Sequence, residues 1–270
     1  SISYAEAMEL SHFGAKVIYP PSLQPAFSQN IPLKILNTFN RAFEGTWVDR
    51  LAKPKEYAIT GISSIDDIAL VDVQGSGMIG VAGVSARLFT ALSEHSISVI
   101  LITQASSEHS ICFAIDPRTA DRVQAILERA FESEIAIGYI DSINIVKNLS
   151  VIAIVGESMK RNTGVSGKLF SSLGKNGINV IATAQGSSEL NISVVISKND
   201  LSKALNAIHG VFFQSETRTL HLFIVGAGLI GSTLIEQIRK QTDYLRQEKL
   251  LNLNVVGLAN TKKMLLDASG

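Results

Sequence analysis

The sequence predicts an α+β fold: two tandem ferredoxin-like units of order β-α-β-β-α-β, followed by a Rossmann-like β-α-β segment. Three observations carry this expectation. Residues 75–115 superimpose on residues 156–196 without a gap, so the middle of the chain is a duplication. Each copy alternates apolar runs of strand length with stretches whose apolar residues recur at helical spacing. Near the end, His221-Leu222-Phe223-Ile224-Val225 leads into Gly226-Ala227-Gly228-Leu229-Ile230-Gly231 and then a helical stretch from about Ser232.

The elements of the repeat follow in order. A first strand is expected at 68–73 and again at 151–155, each ahead of a Gly/Ser-rich loop. Val84, Leu88, Phe89 and Leu92 then mark one face of a helix, and Val165, Leu169, Phe170 and Leu173 repeat that face. Buried-looking runs at 99–103 and 180–184 predict second strands. Ile111, Phe113 and Ile115, matched by Ile192, Val194 and Ile196, alternate as third strands do. Between these strands sit Gln104-Ala105-Ser106-Ser107-Glu108 and Gln185-Gly186-Ser187-Ser188-Glu189. Asp116-Pro117 caps a second helix through Val123, Ile126 and Leu127, and Asn199 and Asp200 precede its counterpart through Leu201, Leu205 and Ile208. A last strand comes from 135–145, or is borrowed from 58–64. The domains expected are 1–53, 54–134, 135–214 and 215–270, with linkers at Lys53-Pro54-Lys55 and Gln214-Ser215-Glu216-Thr217.

Composition narrows the function. With 46% hydrophobic residues the chain can bury more than one core. Its 24 basic and 24 acidic residues cancel without a basic block, so neither nucleic acid nor an anionic membrane is expected as a partner. No apolar run approaches the roughly 18 residues of a membrane span, and the sole cysteine, Cys112, has no partner for an internal disulfide. The cytoplasm is the expected compartment. Cys112 reads as a small core residue on a strand, and Trp47 as packing near a domain boundary. His12, His95, His109, His209 and His221 lack metal-ligand spacing, so no metal is expected.

Two duplicated features suggest a binding site. The loop of copy one carries Gly75, Gly77, Gly80 and Gly83 ahead of a helix N-terminus, whose free N–H groups and dipole attract a carboxylate. Gln104 and Gln185 each end a buried strand and offer donors and an acceptor without charge, which suits the polar end of a small zwitterion.

With these residues the repeat resembles the tandem ACT domains of aspartokinases, specifically of bifunctional aspartokinase–homoserine dehydrogenases. The resemblance implies effector sites for threonine or lysine. It implies roles for Gln104 and Gln185, for Gly80, Val81, Ala82, Gly83 and Val84 of the preceding loop, and for Ser98 and Asn179 ahead of the buried strands. The copies diverge there, since Lys160-Arg161-Asn162 replaces Ile79-Gly80-Val81. The two sites are therefore expected to differ in affinity or use, and copy one, with its intact glycine loop, is the pocket to test first. A homodimer or higher oligomer through the ACT domains is also implied.

The flanks resemble other parts of the same family. Ser3-Tyr4-Ala5-Glu6-Ala7, Phe13-Gly14-Ala15-Lys16-Val17, Ile31-Pro32, Asn37-Thr38-Phe39 and Gly45-Thr46 are similar to the end of an aspartokinase catalytic domain. The family's glycine-rich phosphate-binding segment and catalytic lysine have no counterpart here, so no catalytic residue is assigned and no kinase turnover is expected. The final residues resemble the start of homoserine dehydrogenase. Gly226, Gly228 and Gly231 would meet a dinucleotide, with Asn260 and Lys262 beyond the second strand. An acidic ribose ligand is absent there, which favours NADP or mixed use. No cofactor is expected in this segment; ATP and NADP belong to the intact parent. Three functions follow: a regulatory module sensing threonine or lysine, an enzyme (NADP-dependent oxidoreductase or aspartate kinase) in its own right, or a dimerisation module with vestigial pockets.

Overall fold

A computed structural model describes residues 1–14, 17–40, 42–50, 57–78, 80–104, 110–213, 218–248 and 251–267. They fall into two compact units, Ser1–Phe212 and Phe213–Gly270. Lys16, both expected linkers and most of the Gln-x-Ser-Ser-Glu turn of copy one lie outside the described residues.

The first unit opens with β1 (Ile2–Ser3), α1 (Tyr4–His12), α2 (Pro20–Gln29), β2 (Leu33–Ile35) and β3 (Thr46–Asp49), whose strands form a sheet of order β1-β3-β2. Helix α1 begins in a capping box: the Glu6 amide donates to the Ser3 hydroxyl at 3.1 Å, and the Ser3 amide donates to the Glu6 carboxylate at 2.9 Å. Tyr4, Ala7, Leu23, Ala26 and Val48 form the small core beneath it.

The duplicated region supplies β4 (Gly61–Gln74), α3 (Val84–Glu94), β5 (Val99–Gln104), β6 (Ser110–Ile115), α4 (Ala120–Ala130) and α5 (Glu132–Ala136). It continues through β7 (Ser142–Val155), α6 (Val165–Lys175), β8 (Ala182–Ala184), β9 (Asn191–Ser197) and α7 (Leu201–Phe213). The strands make one antiparallel sheet of order β5-β6-β4-β7-β9-β8. Each copy therefore has the ferredoxin-like order, with its first strand between its third and a closing strand.

The closing strands come from both of the expected sources. Copy one is closed by the start of β7, where Ser142 to Val146 pair with Gln74 to Leu70. Copy two is closed by the start of β4, where Gly61 to Ile65 pair with Val155 to Val151. The strand of copy one begins later than residue 135, because residues 132–136 wind into α5. That helix opens with the Ile135 amide on the Phe131 carbonyl and closes with the Ile137 amide on the Ser133 carbonyl, and Gly138 then turns the chain at φ +73°.

Alternation along β4 feeds two cores. Ala69, Val71 and Val73 point to α3 and α4, where they join Leu88, Leu92, Phe113, Ile115, Val123, Leu127 and Phe131. Ile68 and Leu70 point the other way and join Leu101, Ala114, Leu149, Val151, Ala153, Val155 and Val195. That second cluster draws on both copies. Its existence requires the sheet to curl, and the two edge strands β5 and β8 do approach each other. Register shifts between Ile65 and Ile68, and again before Leu70, put irregularities in β4 where the two halves meet, and such bulges bend and twist a strand.

Cys112 lies half-buried against this inner core, on β6 as expected, with its Sγ donating to Asp72 at 3.1 Å. Burial and the Asp72 carboxylate push the thiol up to about 12, so it stays protonated and unreactive.

Helix α1 docks on the inner face. Phe13 is 6% exposed within the inner cluster, and its carbonyl accepts the Ser63 hydroxyl at 2.8 Å. The Asn191 side-chain amide donates to Glu9, and the Glu157 amide donates to buried Glu6 at 3.0 Å.

The second unit contains β10 (Arg218–Val225), α8 (Leu229–Glu248), β11 (Leu251–Ala259) and β12 (Met264–Leu266), in a sheet of order β10-β11-β12. β10 and β11 are parallel, as a β-α-β crossover requires, and β12 adds antiparallel to β11. Phe223 and Leu265 on the sheet are exposed, since one crossover helix covers only part of such a sheet, and Leu229 and Ile230 at the start of α8 are exposed as well. No helix among the described residues is long and apolar enough to cross a membrane.

Candidate functional site

The loop and the glutamines of the repeat line two different cavities. The first, of about 320 Å³, lies at the N-terminus of α3 and is lined by Val81, Ala82, Gly83 and Val84 with Arg87, Phe131, Glu134 and Tyr139. Gly83 is the N-cap at φ +92° and brings no capping side chain, which leaves the first amides of α3 to be met by something else.

The loop glycines divide by role. A Cβ on Gly75 would come 2.2 Å from the Tyr139 carbonyl oxygen, and one on Gly77 would come 2.5 Å from the Tyr139 side chain, so these two permit close packing. Gly80 and Gly83 instead have positive φ and open space where a Cβ would point.

Arg87 shapes the wall of this cavity. Its guanidinium lies 4.4 Å from the centroid of the Phe131 ring and pairs with Glu134. The hydrogen bond from Arg87 holds the Glu134 carboxyl below its usual range. A depressed carboxylate stabilises the fold above its unfolded pKa of about 4.3, and this contribution disappears as pH falls through the lower folded value. Both partners are partly exposed, so the pair is worth at most about 1 kcal/mol. Arg87→Ala is expected to return the Glu134 titration toward the ordinary glutamate value, read by side-chain NMR. An unchanged midpoint would show that Arg87 is not the cause.

Copy two is built differently at the same place. Gly164 caps α6 at φ +83°, but the 3₁₀ turn before it, Glu157–Arg161, runs two residues longer than its counterpart Ser76–Met78 in copy one. Lys168 stands at the position of Arg87.

The second cavity, of about 420 Å³, opens between β5 and β8. Gln104 and Gln185 both line it, together with Thr103, Thr183, Asn191, Ser193 and Phe13. The curl of the sheet thus brings the two repeat-related glutamines to one place. Ser98 and Asn179 are exposed ahead of β5 and β8 and line neither cavity. Gly80 flanks the first cavity in sequence but does not line it.

The family of ACT domains matches residues 71–131 and 152–212. Over all of its length the chain is 41% identical to a bifunctional aspartokinase/homoserine dehydrogenase of Haemophilus influenzae, of which it covers 33%. Over its whole length the chain thus matches a part of the bifunctional aspartokinase/homoserine dehydrogenases, and it carries their ACT domains. A chloroplastic bifunctional enzyme of Arabidopsis thaliana is likewise 41% identical, with 30% of it covered. The chain spans about a third of the length of these curated relatives. Among solved structures, aspartate kinase of Clostridium acetobutylicum matches 78% of the chain with a TM-score of 0.71 at 26% identity, over 48% of that protein. Escherichia coli aspartokinase III, solved with aspartate and ADP, matches 78% with a TM-score of 0.64 at 25% identity, over 46% of its own length.

In the second unit the glycine turn after β10 is tight. Gly226 has φ +101° and donates its amide to the Ala259 carbonyl at 2.7 Å, and a Cβ on Gly231 would lie 2.0 Å from the Gly226 oxygen. Asn260 is engaged in its own turn, its side-chain oxygen accepting the amides of Lys262 and Lys263 at 2.8 Å. Lys262 is exposed beside it. No group of three or more His, Cys, Asp or Glu suited to a metal occurs among the described residues.

Several cavity residues escaped the sequence reading. Thr103, Thr183, Asn191 and Ser193 were not singled out as site residues, and Phe13 was read only as part of the kinase-like flank. Ser193 alone had a signal, as the single polar residue inside the run Ile192-Ser193-Val194-Val195-Ile196.

Proposed function

We propose that the tandem ACT unit is an amino-acid-sensing regulatory region, with threonine or lysine as effector, serving a protein that phosphorylates aspartate and forms homoserine. The observation that carries this reading is the convergence of Gln104 and Gln185, equivalent residues of two ACT copies, on one cavity. The uncapped α3 N-terminus in the copy-one cavity supports it, because free amides there suit an amino-acid carboxylate. Regulation then requires the effector to bind one arrangement of the flanking domains better than another. A homodimer through the ACT domains belongs to the same reading.

The turn at Gly226, Gly228 and Gly231 fits a dinucleotide in one respect: no side chain stands between its backbone and a pyrophosphate. Asn260 and Lys262 would then face the ribose, and NADP is the proposed cofactor of the intact protein, with ATP for its kinase half.

Titration calorimetry on the chain with threonine and with lysine tests the effector reading. A saturable heat is expected for one of them, with a thermal shift equivalent to about 2.7 kcal/mol at a hundredfold excess over Kd. Absence of binding by both would sink it.

A further inference from the structure

The loop ahead of the first helix opens on a capped amide in both copies, but the cap comes from different parts of the chain. In copy one the Ser76 amide donates to the Asp141 carboxylate at 3.2 Å. At the matching position of copy two the Glu157 amide donates at 3.0 Å to Glu6 of α1. The residue that matches Asp141 in the repeat is Thr60. The backbone bears out the match: the Asp141 amide donates to the Gln74 carbonyl at 2.8 Å and the Thr60 amide to the Val155 carbonyl at 2.6 Å. Ile140 and Ile59, the residues before them, are both buried. Thr60 brings no carboxylate to its site, and its hydroxyl donates to Glu6 instead.

Glu6 thus serves two elements at once. One carboxylate oxygen closes the capping box of α1 on the Ser3 amide at 2.9 Å, and the other accepts the Thr60 hydroxyl and the Glu157 amide. The residue is 1% exposed, and a buried carboxylate persists only where donors replace the water it has lost. Asp141, by contrast, is exposed and caps Ser76 from within the closing segment of its own copy. We propose that Glu6 is a surrogate cap, a positioning residue by which the kinase-like segment completes the loop of copy two, so that this loop keeps its shape only while α1 is docked. The loop of copy one is complete without that segment.

The two donors that Glu6 gathers sit at neighbouring ends of the long strands, Thr60 just before β4 and Glu157 just after β7. Displacing α1 deprives both of their acceptor together. Copy two therefore depends on the kinase-like segment in a way that copy one does not, and this asymmetry belongs to the fold whether or not an effector binds.

Amide hydrogen exchange, read residue by residue by NMR on the whole ligand-free chain, tests this. Glu6→Gln keeps the shape, but its one amide oxygen cannot accept from the Ser3, Thr60 and Glu157 donors together. Exchange at the Glu157 amide should then rise about tenfold or more, with that at Ser76 changed by less than about twofold. Asp141→Ala should do the reverse. The deciding variant combines Glu6→Ala with Thr60→Asp, which builds the cap of copy one into copy two. Protection at Glu157 should return to within about threefold of the parent, although the capping box of α1 stays broken. If Glu6 merely stabilises α1, the double variant will exchange at Glu157 as fast as Glu6→Ala alone, and that result would overturn the surrogate cap. Unchanged exchange at Glu157 in Glu6→Gln would overturn it as well. Neither result touches the effector reading, since no ligand is present.

Discussion

Replacing Gln104 and Gln185 together with alanine is expected to weaken threonine binding about tenfold or more, while the ligand-free stability stays within about 0.5 kcal/mol. The first figure follows from two lost hydrogen bonds of roughly 0.5–1.5 kcal/mol each, and the second from exposed residues that serve no core. Because both side chains line one cavity, the single variants should be non-additive, with a coupling that separate pockets would not show. Calorimetry on the four members of the cycle decides the matter. A double variant that binds like the parent would remove the glutamines from the site.

Leu169→Ala should destabilise both copies, not only the one that contains it. Leu169 is fully buried in α6, and truncating such a residue costs about 2–5 kcal/mol. β4 and β7 each give one half to either copy, and Leu149 and Ile68, opposite each other at the junction, belong to a cluster built from both. Amides of Val71 and Phe113 in copy one should therefore exchange faster in proportion, and calorimetric unfolding of 58–212 should remain a single transition. Unaltered protection at Val71 and Phe113, with copy two already open, would show the copies to be independent.

The helices α3, α4, α6 and α7 were legible in the sequence, because their packing faces recur at intervals of three and four residues; Gly83 and Gly164 mark where α3 and α6 begin, while Asp116 caps the 3₁₀ turn Pro117–Thr119 that leads into α4. The turn after β10 was legible for the same local reason. The duplication also marked Gln104 and Gln185 as a pair. What remained hidden lies between elements distant in the chain. Alternation along 68–74 tells which residues share a face, but an apolar face does not name its partner, so the second face of β4 could not be assigned to a core drawn from both copies. The lengths of β4 and β7, which overran the strands expected at 68–73 and 151–155, came from pairing with each other, an interaction across some eighty residues.

The same holds for the site. Residues 80–84 and the glutamines are near each other in the repeat, and the resemblance grouped them. The fold separates them, because β5 faces away from the α3 N-terminus toward β8 once the sheet curls. Ser193 is the sharpest case: the sequence marks it only as one polar residue in an apolar strand. Its unpaired hydroxyl arises only because the ladder sets it opposite Ala153 where Cys112 has Asp72. Local periodicity specified the elements and their inward faces, while register and curvature, which depend on every strand at once, decided which side chains meet.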